Sequence, residues 1–291
     1  MHLPVRLLVL DVDGTLLRRS APSIAPRVAE ALQAAAKAGI TVAIATGRRT
    51  DFTTPLIEGL NLPDSMPLIT SNGAVVRTLG GELYERQELG LEVTRGLCQL
   101  MRPYGSLVIT FDRTDKPQLV LEEMPQAEEL IGPWIEANRK DILLAKPIES
   151  CLEDGELPIQ AMAAGHCEPM RRAAEALAKS PLASLCSCVK TEYKVRDLAI
   201  LDLLPPGLSK GSALERLAAR LGVDRKAVMA VGDNWNDELM LEWAGQPVLM
   251  GNAPTELKAK AKMQGWIQVP ENEHDGAAVA IERAIESLKR A

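Results

Sequence analysis

Short apolar runs alternate with segments of helical periodicity at both ends of the chain. Residues 5–10 and 40–45 are nearly continuous runs of Leu, Val, Ile and Ala, a pattern typical of strands covered on both faces. Between them, apolar positions three and four residues apart predict a helix that begins near Pro26 and ends at Gly39. Because strands that alternate with helices pair in parallel, we predict an α/β fold with a doubly wound parallel sheet. Its other predicted elements are strands at 67–70, 228–231, 247–250 and 266–269 and a helix at 211–221.

The middle of the chain follows a different pattern, in which apolar runs lie close enough together to form hairpins. Hairpins are predicted over residues 74–84 and 106–122, helices over 126–140 and 169–179, and further strands over 158–164, 183–191 and 196–204. Hairpins mixed with helices indicate a separate α+β domain, and Pro205-Pro206-Gly207 is suited to a rigid return linker. We therefore predict that residues 84–204 form a domain inserted between two parts of the parallel sheet.

The composition of the 291-residue chain indicates a globular protein with a small partner. Hydrophobic residues make up 46% and charged residues 25% of the chain, and the length suits about two domains. The 33 Lys and Arg residues are outnumbered by 39 acidic residues, which gives a net charge of −6. This acidity argues against nucleic acid as the partner, because binding to phosphate backbones depends on an excess of positive charge.

The sequence shows no apolar segment long enough for a signal peptide or a membrane span. After Met1, the first apolar run covers residues 7–10 and ends in an acid. The five cysteines are odd in number and widely scattered, which favours a reducing compartment over a disulfide framework. We therefore expect a cytoplasmic protein without a membrane partner.

Two carboxylates stand where the first predicted strand ends. Asp11 and Asp13 follow residues 5–10, and ligands of open parallel sheets bind at the carboxyl ends of strands. One aspartate at this place can attack an electrophilic substrate, and a second can protonate the leaving group and then activate water. The alternative is an Asx turn, because Asp-Gly pairs such as Asp13-Gly14 commonly close turns after strands.

Two other element ends offer groups that suit an anion. Thr46, Gly47 and Arg48 follow the second predicted strand and provide a hydroxyl, an open N–H group and a guanidinium. Lys210 opens a predicted helix, where its charge and the first N–H groups of the helix favour phosphate. Each set on its own also fits ordinary turn or surface chemistry.

A further polar set follows the strand predicted at 228–231. Asp233 and Asp237 lie there with side-chain amides, and oxygen ligands without His or Cys favour Mg²⁺ over Zn²⁺. An attack by Asp11 on a phosphate dianion is opposed by repulsion of about 1 kcal/mol per charge pair in water and more in a cleft. A Mg²⁺ ion between Asp11 and Asp233, with Lys210 opposite, would cancel that repulsion. The four sets together therefore indicate phosphoryl transfer.

In this order, the motifs resemble those of the haloacid dehalogenase (HAD) superfamily, specifically the Cof-like phosphatases with a large inserted type IIB cap. The resemblance covers nearly the whole chain and is strongest at residues 11–16, 46–48, 210 and 232–237, with secondary signatures at 71–74, 251–253 and 275–276. It implies a Rossmann-like catalytic core from residues 1–83 and 205–291. It also implies that residues 84–204 form a cap domain that closes over the site and selects the substrate.

The resemblance implies a role for each matching residue. Asp11 is the expected nucleophile, which forms an aspartyl-phosphate, and Asp13 is the expected general acid and base. The expected Mg²⁺ ligands are the carboxylates of Asp11 and Asp233 and the backbone carbonyl of Asp13, with Asp237 in support. The groups expected to hold phosphate are the Val12 backbone, Thr46, Gly47, Lys210 and Asn236. Arg48 and Asn72 are candidate contacts to the substrate.

The residue at position 13 distinguishes dehalogenases from phosphatases within the family. Release of halide needs no proton, whereas an alkoxide leaving group does, so the acidic Asp13 favours hydrolysis of a phosphate ester. We therefore predict a Mg²⁺-dependent phosphatase that acts on a small phosphomonoester, such as a sugar phosphate or a phosphorylated cofactor. A phosphomutase of similar cap type and a catalytically silent protein that binds a phosphorylated ligand stay open as alternatives. The substrate and the oligomeric state are not identified by any motif.

A competing motif belongs to another enzyme class. Residues 207–211 fit the GxSxG nucleophile elbow, with Ser209 before a helix and with Asp233 and His274 following in α/β-hydrolase order. However, Pro205-Pro206 stands where a strand should lead into the elbow, and no HGGG-type oxyanion segment occurs. The sequence therefore favours aspartate chemistry over a Ser-dependent hydrolase.

Overall fold

A computed structural model describes residues 3–18, 21, 23–122 and 126–289 of the chain. In those ranges the chain divides into two compact units. The first unit combines the described residues up to Glu85 with those from Ser209 onward, and the second comprises Arg86–Leu208. The predicted insertion, residues 84–204, starts two residues earlier than the second unit and also ends four residues earlier. The proline pair at 205–206 therefore lies within the second unit.

The strands of the described residues are short and distributed over both units. They are β1 (Leu7–Leu10), β2 (Thr41–Ala45), β3 (Pro67–Thr70), β4 (Val75–Thr78), β5 (Leu83–Arg86), β6 (Ser106–Thr110), β7 (Leu119–Glu122), β8 (Ile142–Ala145), β9 (Gln160–Gly165), β10 (Ser187–Tyr193), β11 (Leu198–Leu204), β12 (Val228–Gly232), β13 (Gln246–Leu249) and β14 (Ile267–Gln268).

The helices are α1 (Pro26–Lys37), α2 (Thr50–Glu58), α3 (Leu91–Met101), α4 (Gln126–Asn138), α5 (Cys167–Ala178), α6 (Lys210–Arg220), α7 (Glu238–Trp243), α8 (Thr255–Gln264) and α9 (Gly276–Lys289). Helices α2, α3 and α9 were not predicted, and α7 and α8 were predicted only as helical sequence between the last three strands. Within the described ranges, none of these helices combines the length and the apolar character that crossing a bilayer would require.

The first unit is built on an eight-stranded sheet with the order β14-β13-β12-β1-β2-β3-β4-β5. Strands β14 to β3 in this order pair in parallel, and β4 joins β3 in antiparallel register. Leu10 is in register with Val231 of β12 and with Ile44 of β2, so these three strands end at the same edge of the sheet. The α/β fold class with a doubly wound parallel sheet is thus confirmed, and the polar residues that follow β1, β2 and β12 meet at one edge.

Both faces of β1 are covered, as its continuous apolar sequence predicts. Leu8 and Leu10 belong to a core with residues of α1 and α9, whereas Leu7 and Val9 belong to a second core with residues of α6 and α7. Because side chains alternate between the faces of a strand, every residue of this four-residue strand is buried. No position along β1 therefore suits a polar side chain. The first one, Asp11, comes directly after the strand ends.

The second unit contains a six-stranded sheet with the order β10-β11-β9-β6-β7-β8. Its strands pair antiparallel except β7 and β8, which are parallel. Apolar residues of α3 and α5 pack with Phe111 on one core, and Ile131 of α4 packs on another with Val108 and Leu121. This mixture of strands and helices matches the predicted α+β composition of the insertion.

One predicted strand of the second unit is wrong in its first part. The strand predicted over residues 183–191 begins only at Ser187. The Ser180 side chain accepts a hydrogen bond from the Leu182 N–H group at 3.2 Å and caps a short 3-10 turn, Pro181–Ser184. Proline and a serine cap start such a turn independently of the apolar pattern that follows them.

Two leucines at α6 should differ in how much they contribute to the stability of the first unit, because they differ in burial. Leu214 is completely buried beneath the sheet, and Leu221 at the end of the helix is 36% exposed. We expect Leu214→Ala to lower the free energy of unfolding by about 2–5 kcal/mol and Leu221→Ala by about 1 kcal/mol or less. Urea denaturation followed by circular dichroism measures both. Equal losses would show that α6 does not pack as described.

Candidate active site

A lysine and two aspartates form a completely buried ionic group at the edge where β1 and β12 end. The Lys210 Nζ donates hydrogen bonds to Asp11 Oδ1 at 2.6 Å and to Asp237 Oδ1 at 2.7 Å. The exposed fractions of these side chains are 0% for Lys210, 0% for Asp237 and 4% for Asp11. Buried charges are tolerated only where partners compensate for lost hydration, so each member of this group depends on the others.

The start of α6 places Lys210 at this edge. Ser209 caps the helix: its Oγ accepts from the Ser212 N–H group and its own N–H group donates to Ser212 Oγ, both at 3.0 Å. Gly211 lies against the backbone of Leu239 in α7, where an added Cβ would be 2.6 Å from the Leu239 carbonyl carbon. The Ser-Lys-Gly sequence thus combines a cap, the cation and a close contact between helices.

Three carboxylates come together around the lysine. One oxygen each of Asp11, Asp233 and Asp237 lies within 4.8 Å of the others, and all three residues are buried. Asp237 Oδ2 accepts hydrogen bonds from the N–H groups of Asp233 at 3.0 Å and Asn234 at 3.2 Å. Asp233 Oδ1 is buried and has no hydrogen-bond partner among the described residues. An unpartnered buried oxygen within an all-carboxylate donor set fits a hard divalent cation.

Three carboxylates around one ammonium leave an excess of negative charge, and the pKa values of these residues are shifted accordingly. Burial and the neighbouring Asp237 raise the pKa of Asp11 to about 7, although Lys210 lowers it. Burial, together with Asp11 and Asp237, also raises the pKa of Asp233 well above its ordinary value. For Lys210, burial lowers the pKa, but the two carboxylates beside it outweigh burial and raise it. One ammonium therefore does not neutralise three carboxylates, and a divalent cation bound here would supply the missing charge.

Asp13 lies in a different environment from Asp11. The Arg48 guanidinium holds its carboxylate in a two-pronged ion pair, with Nε 2.7 Å from Oδ2 and Nη2 2.5 Å from Oδ1. The Asp13 side chain is 56% exposed and does not belong to the buried carboxylate group. Its expected contribution to a metal is a backbone carbonyl, which stays a prediction. Arg48, a candidate substrate contact, engages Asp13 in this structure.

The loop after β2 packs against the turn after β3. Thr46 is buried, and its Oγ1 accepts from the Arg48 N–H group at 3.1 Å. The Asn72 N–H group donates to the Thr46 carbonyl at 3.0 Å. An added Cβ at Gly47 would lie 3.1 Å from Asn72 Oδ1. Ser71 and Asn72 have positive φ angles of 50° and 53°, so this turn is held in the left-handed region. Thr46, Gly47 and Asn72 are therefore neighbours.

The two remaining predicted phosphate ligands lie within this set of loops. Val12 follows Asp11, and its side chain is buried in the apolar core, which leaves only its backbone for a polar role. Asn236 lies in the 3-10 turn Trp235–Asp237, next to the buried Asp237. Their expected contacts to phosphate stay predictions.

The residues of the predicted Ser-dependent site do not come together. Ser209 is the cap of α6 and bonds to Ser212. His274 is 73% exposed and pairs through Nδ1 with Glu271 Oε1 at 2.9 Å. No hydrogen bond joins Ser209, Asp233 and His274 in the described part of the chain, so the α/β-hydrolase alternative is wrong. The GxSxG pattern arose from a helix cap next to two glycines.

Sequence reasoning gave no role to two asparagines of this edge. Asn252 follows β13 and donates from Nδ2 to Asp233 Oδ2 at 2.9 Å. The signal for its position was available, because residues 251–253 follow shortly after β13, the strand that pairs with β12. Asn272, whose Nδ2 donates to the Leu17 carbonyl at 2.8 Å, lies in a loop before α9 and had no such signal.

Substitution of Lys210 tests the buried ionic group. In metal-free buffer, we expect Lys210→Met to lower the free energy of unfolding by about 3–5 kcal/mol, because Asp11 and Asp237 lose their buried partner. Lys262→Met, at an exposed site of α8, is the matched control and should change it by about 0.5 kcal/mol or less. Urea denaturation measures both variants. Equal stability of the two would contradict the described burial.

Comparison with known proteins shows the family of the chain. A family model described as haloacid dehalogenase-like hydrolase matches residues 8–281. The 5-amino-6-(5-phospho-D-ribitylamino)uracil phosphatase YwtE of Bacillus subtilis is 26% identical over 298 residues, which cover 97% of this chain and 98% of that protein.

Solved structures share the fold over almost the whole chain. A haloacid dehalogenase-like hydrolase from Bacteroides thetaiotaomicron is 25% identical with a TM-score of 0.77, covering 96% of this chain and 99% of that one. The sugar phosphatase BT4131 of HAD subclass IIB is 23% identical with a TM-score of 0.76, covering 96% and 98%. The predicted resemblance is thereby confirmed: the chain belongs to the haloacid dehalogenase-like hydrolase family.

Proposed function

We propose that the chain is a Mg²⁺-dependent phosphatase that hydrolyses a small phosphomonoester through an aspartyl-phosphate intermediate. The observation that supports this most directly is the buried Asp11 carboxylate, 2.6 Å from Lys210 and grouped with Asp233 and Asp237 at the carboxyl ends of parallel strands. The relative YwtE is named as a phosphatase, and the fold is shared with a sugar phosphatase.

Asp11 is the proposed nucleophile. In the first step, an Asp11 oxygen attacks phosphorus and the bond from phosphorus to the ester oxygen breaks, while Asp13 donates a proton to the leaving alkoxide. In the second step, Asp13 takes a proton from a water molecule that attacks the aspartyl-phosphate, which releases phosphate and restores Asp11. The Lys210 ammonium holds Asp11 in place and offsets negative charge on the transferred group.

The donor set fits Mg²⁺. We propose that the carboxylates of Asp11 and Asp233 and the backbone carbonyl of Asp13 hold the ion, with Asp237 in support. When bound, the ion supplies positive charge that reduces the repulsion between Asp11 and a phosphate dianion. Asp233 Oδ1, buried without a protein partner in the described ranges, is the atom with the clearest need of such a ligand.

The phosphate oxygens are proposed to bind the Val12 backbone, the Thr46 hydroxyl, the Gly47 N–H group, Lys210 and Asn236. Arg48 is proposed to contact the substrate beside Asp13, whose carboxylate now bonds two of its three guanidinium nitrogens, Nε and Nη2. We propose that the second unit is the cap that selects the substrate. YwtE acts on a phosphorylated ribityl compound, so sugar and polyol phosphates are the first substrates to test.

Substitution of the two aspartates separates this mechanism from the alternatives. We expect Asp11→Asn to reduce phosphate release by about 10³-fold or more, because the nucleophile is lost. Asp13→Asn should reduce it by about 10²–10⁴-fold. Ser209→Ala and the exposed control Asp115→Asn should retain activity. The assay is release of inorganic phosphate from p-nitrophenyl phosphate and from a panel of sugar phosphates. An isomerised product without free phosphate would indicate a phosphomutase, and binding without turnover a silent protein.

Metal removal gives an independent test. Activity should disappear after exhaustive chelation and return with Mg²⁺, and Mg²⁺ at 100 times its Kd should stabilise the protein by about 2.7 kcal/mol. Thermal unfolding with and without Mg²⁺ measures the second effect in the absence of substrate. Full activity after chelation would contradict the proposed function.

A further inference from the structure

Asn252 and Asn272 form a hydrogen-bonded bracket that connects the end of β13 to the loop after β1. The Asn252 Nδ2 donates to two acceptors, Asp233 Oδ2 at 2.9 Å and the Gly14 carbonyl at 2.8 Å. The Asn272 Nδ2 donates to the Leu17 carbonyl at 2.8 Å. Two asparagines thus hold both the carboxylate that follows β12 and the backbone that follows Asp13.

The orientation of the Asn252 amide is determined by its surroundings. Its Oδ1 accepts a hydrogen bond from the Asn272 N–H group at 3.0 Å, while the two groups facing its Nδ2 are both acceptors. A flipped amide would place oxygen against a carboxylate and a carbonyl, which would leave both of them without a donor. The amide therefore has one stable orientation, with its two N–H bonds directed at Asp233 and Gly14.

The two carboxylate oxygens of Asp233 have different environments. Oδ2 bonds to Asn252, whereas Oδ1 is buried and lacks a hydrogen-bond partner within the described residues. Gly14, at a φ of +87°, lies so close that an added Cβ would overlap the Asp233 carboxylate. With Asn252 on one oxygen and Gly14 against the group, the carboxylate cannot rotate freely. The carboxylate held in this way has one oxygen within 4.8 Å of oxygens of Asp11 and Asp237.

We propose that Asn252 is a positioning residue that fixes Asp233 and the backbone beside Asp13 for the divalent cation. The inference rests on the proposed function, because it assigns a role to the cation that the buried carboxylates would bind. Groups that orient metal ligands are known to change metal affinity by about 10–100-fold when removed. The role of Asn252 is therefore in cation affinity, and its effect on the chemical step is indirect.

Direct binding of Mg²⁺ tests this role without any substrate. Titration calorimetry on the full chain should show one Mg²⁺ bound by the wild type and a Kd about 10-fold weaker or more for Asn252→Ala. In phosphatase assays, the Mg²⁺ concentration for half-maximal activity should rise by the same factor, while kcat at saturating Mg²⁺ should change much less. A role limited to folding would not produce that split. Asn252→Leu, which keeps the number and branching of the side-chain heavy atoms and lacks the donor, should show the same loss if Asn252→Ala folds poorly.

Two controls separate positioning from stability. Asn138→Ala removes an asparagine of the second unit that is buried, at 4% exposed, and bonded to the Trp134 carbonyl at 2.8 Å, and should leave the Mg²⁺ affinity unchanged. Asn272→Ala removes the bond to the Leu17 carbonyl but no bond to Asp233, so it should lower the Tm with a smaller effect on Mg²⁺ affinity.

The outcomes distinguish the two proposals. If the wild type binds Mg²⁺ and both Asn252 variants bind it equally well, the role of Asn252 is overturned and the proposed function stands. If Asn272→Ala weakens Mg²⁺ binding as much as Asn252→Ala, the bracket acts as a whole and the specific role of Asn252 is likewise overturned. If the wild type binds no Mg²⁺, the proposed function fails, and the inference fails with it.

Discussion

The structure of the first unit depends on how it accommodates one lysine and three carboxylates in its interior. Lys210 bonds to Asp11 and Asp237 at 2.6 and 2.7 Å, and Asp233 completes the group. Desolvating such charges is costly, and replacing buried ion pairs by apolar residues is often neutral or stabilising in proteins. The group leaves a surplus of negative charge and an unpartnered oxygen. Both are disadvantages for folding, and both suit the divalent cation that we propose.

The parallel sheet explains why the charges gather at its edge. Strand β1 is buried on both faces by two separate cores, so polar side chains can emerge only where the strand ends. The registers of Leu10 with Val231 and with Ile44 bring the ends of three strands level. The local sequence then places charged groups at this edge. For example, the Ser209 cap starts α6 at Lys210. The site is thus a consequence of strand order as much as of residue type.

The candidate site was largely predictable because its members follow apolar strands in sequence. A carboxylate after β1 and a carboxylate after β12 must meet if these neighbouring strands pair in parallel. The family model confirms the hydrolase family that this edge suggests. The ion pair of Asp13 with Arg48 and the bracket of Asn252 with Asn272 were not predictable. They depend on side-chain distances across loops far apart in sequence. The strand predicted at 183–191 failed for a local reason, the turn capped by Ser180.

Asp11 and Asp13 illustrate how two identical side chains acquire different environments within three residues. Asp11 is 4% exposed and bonds to a buried ammonium, whereas Asp13 is 56% exposed and bonds to a guanidinium that is itself partly exposed. A nucleophile must be held still and shielded from water, and a group that exchanges protons with a leaving group and with water must be accessible to both. The turn at Gly14, which only a residue without a side chain can form against Asp233, follows Asp13 directly and is held by the Asn252 bond. The same turn therefore follows the exposed Asp13 and lies against the buried Asp233 carboxylate, which is proposed to hold the cation.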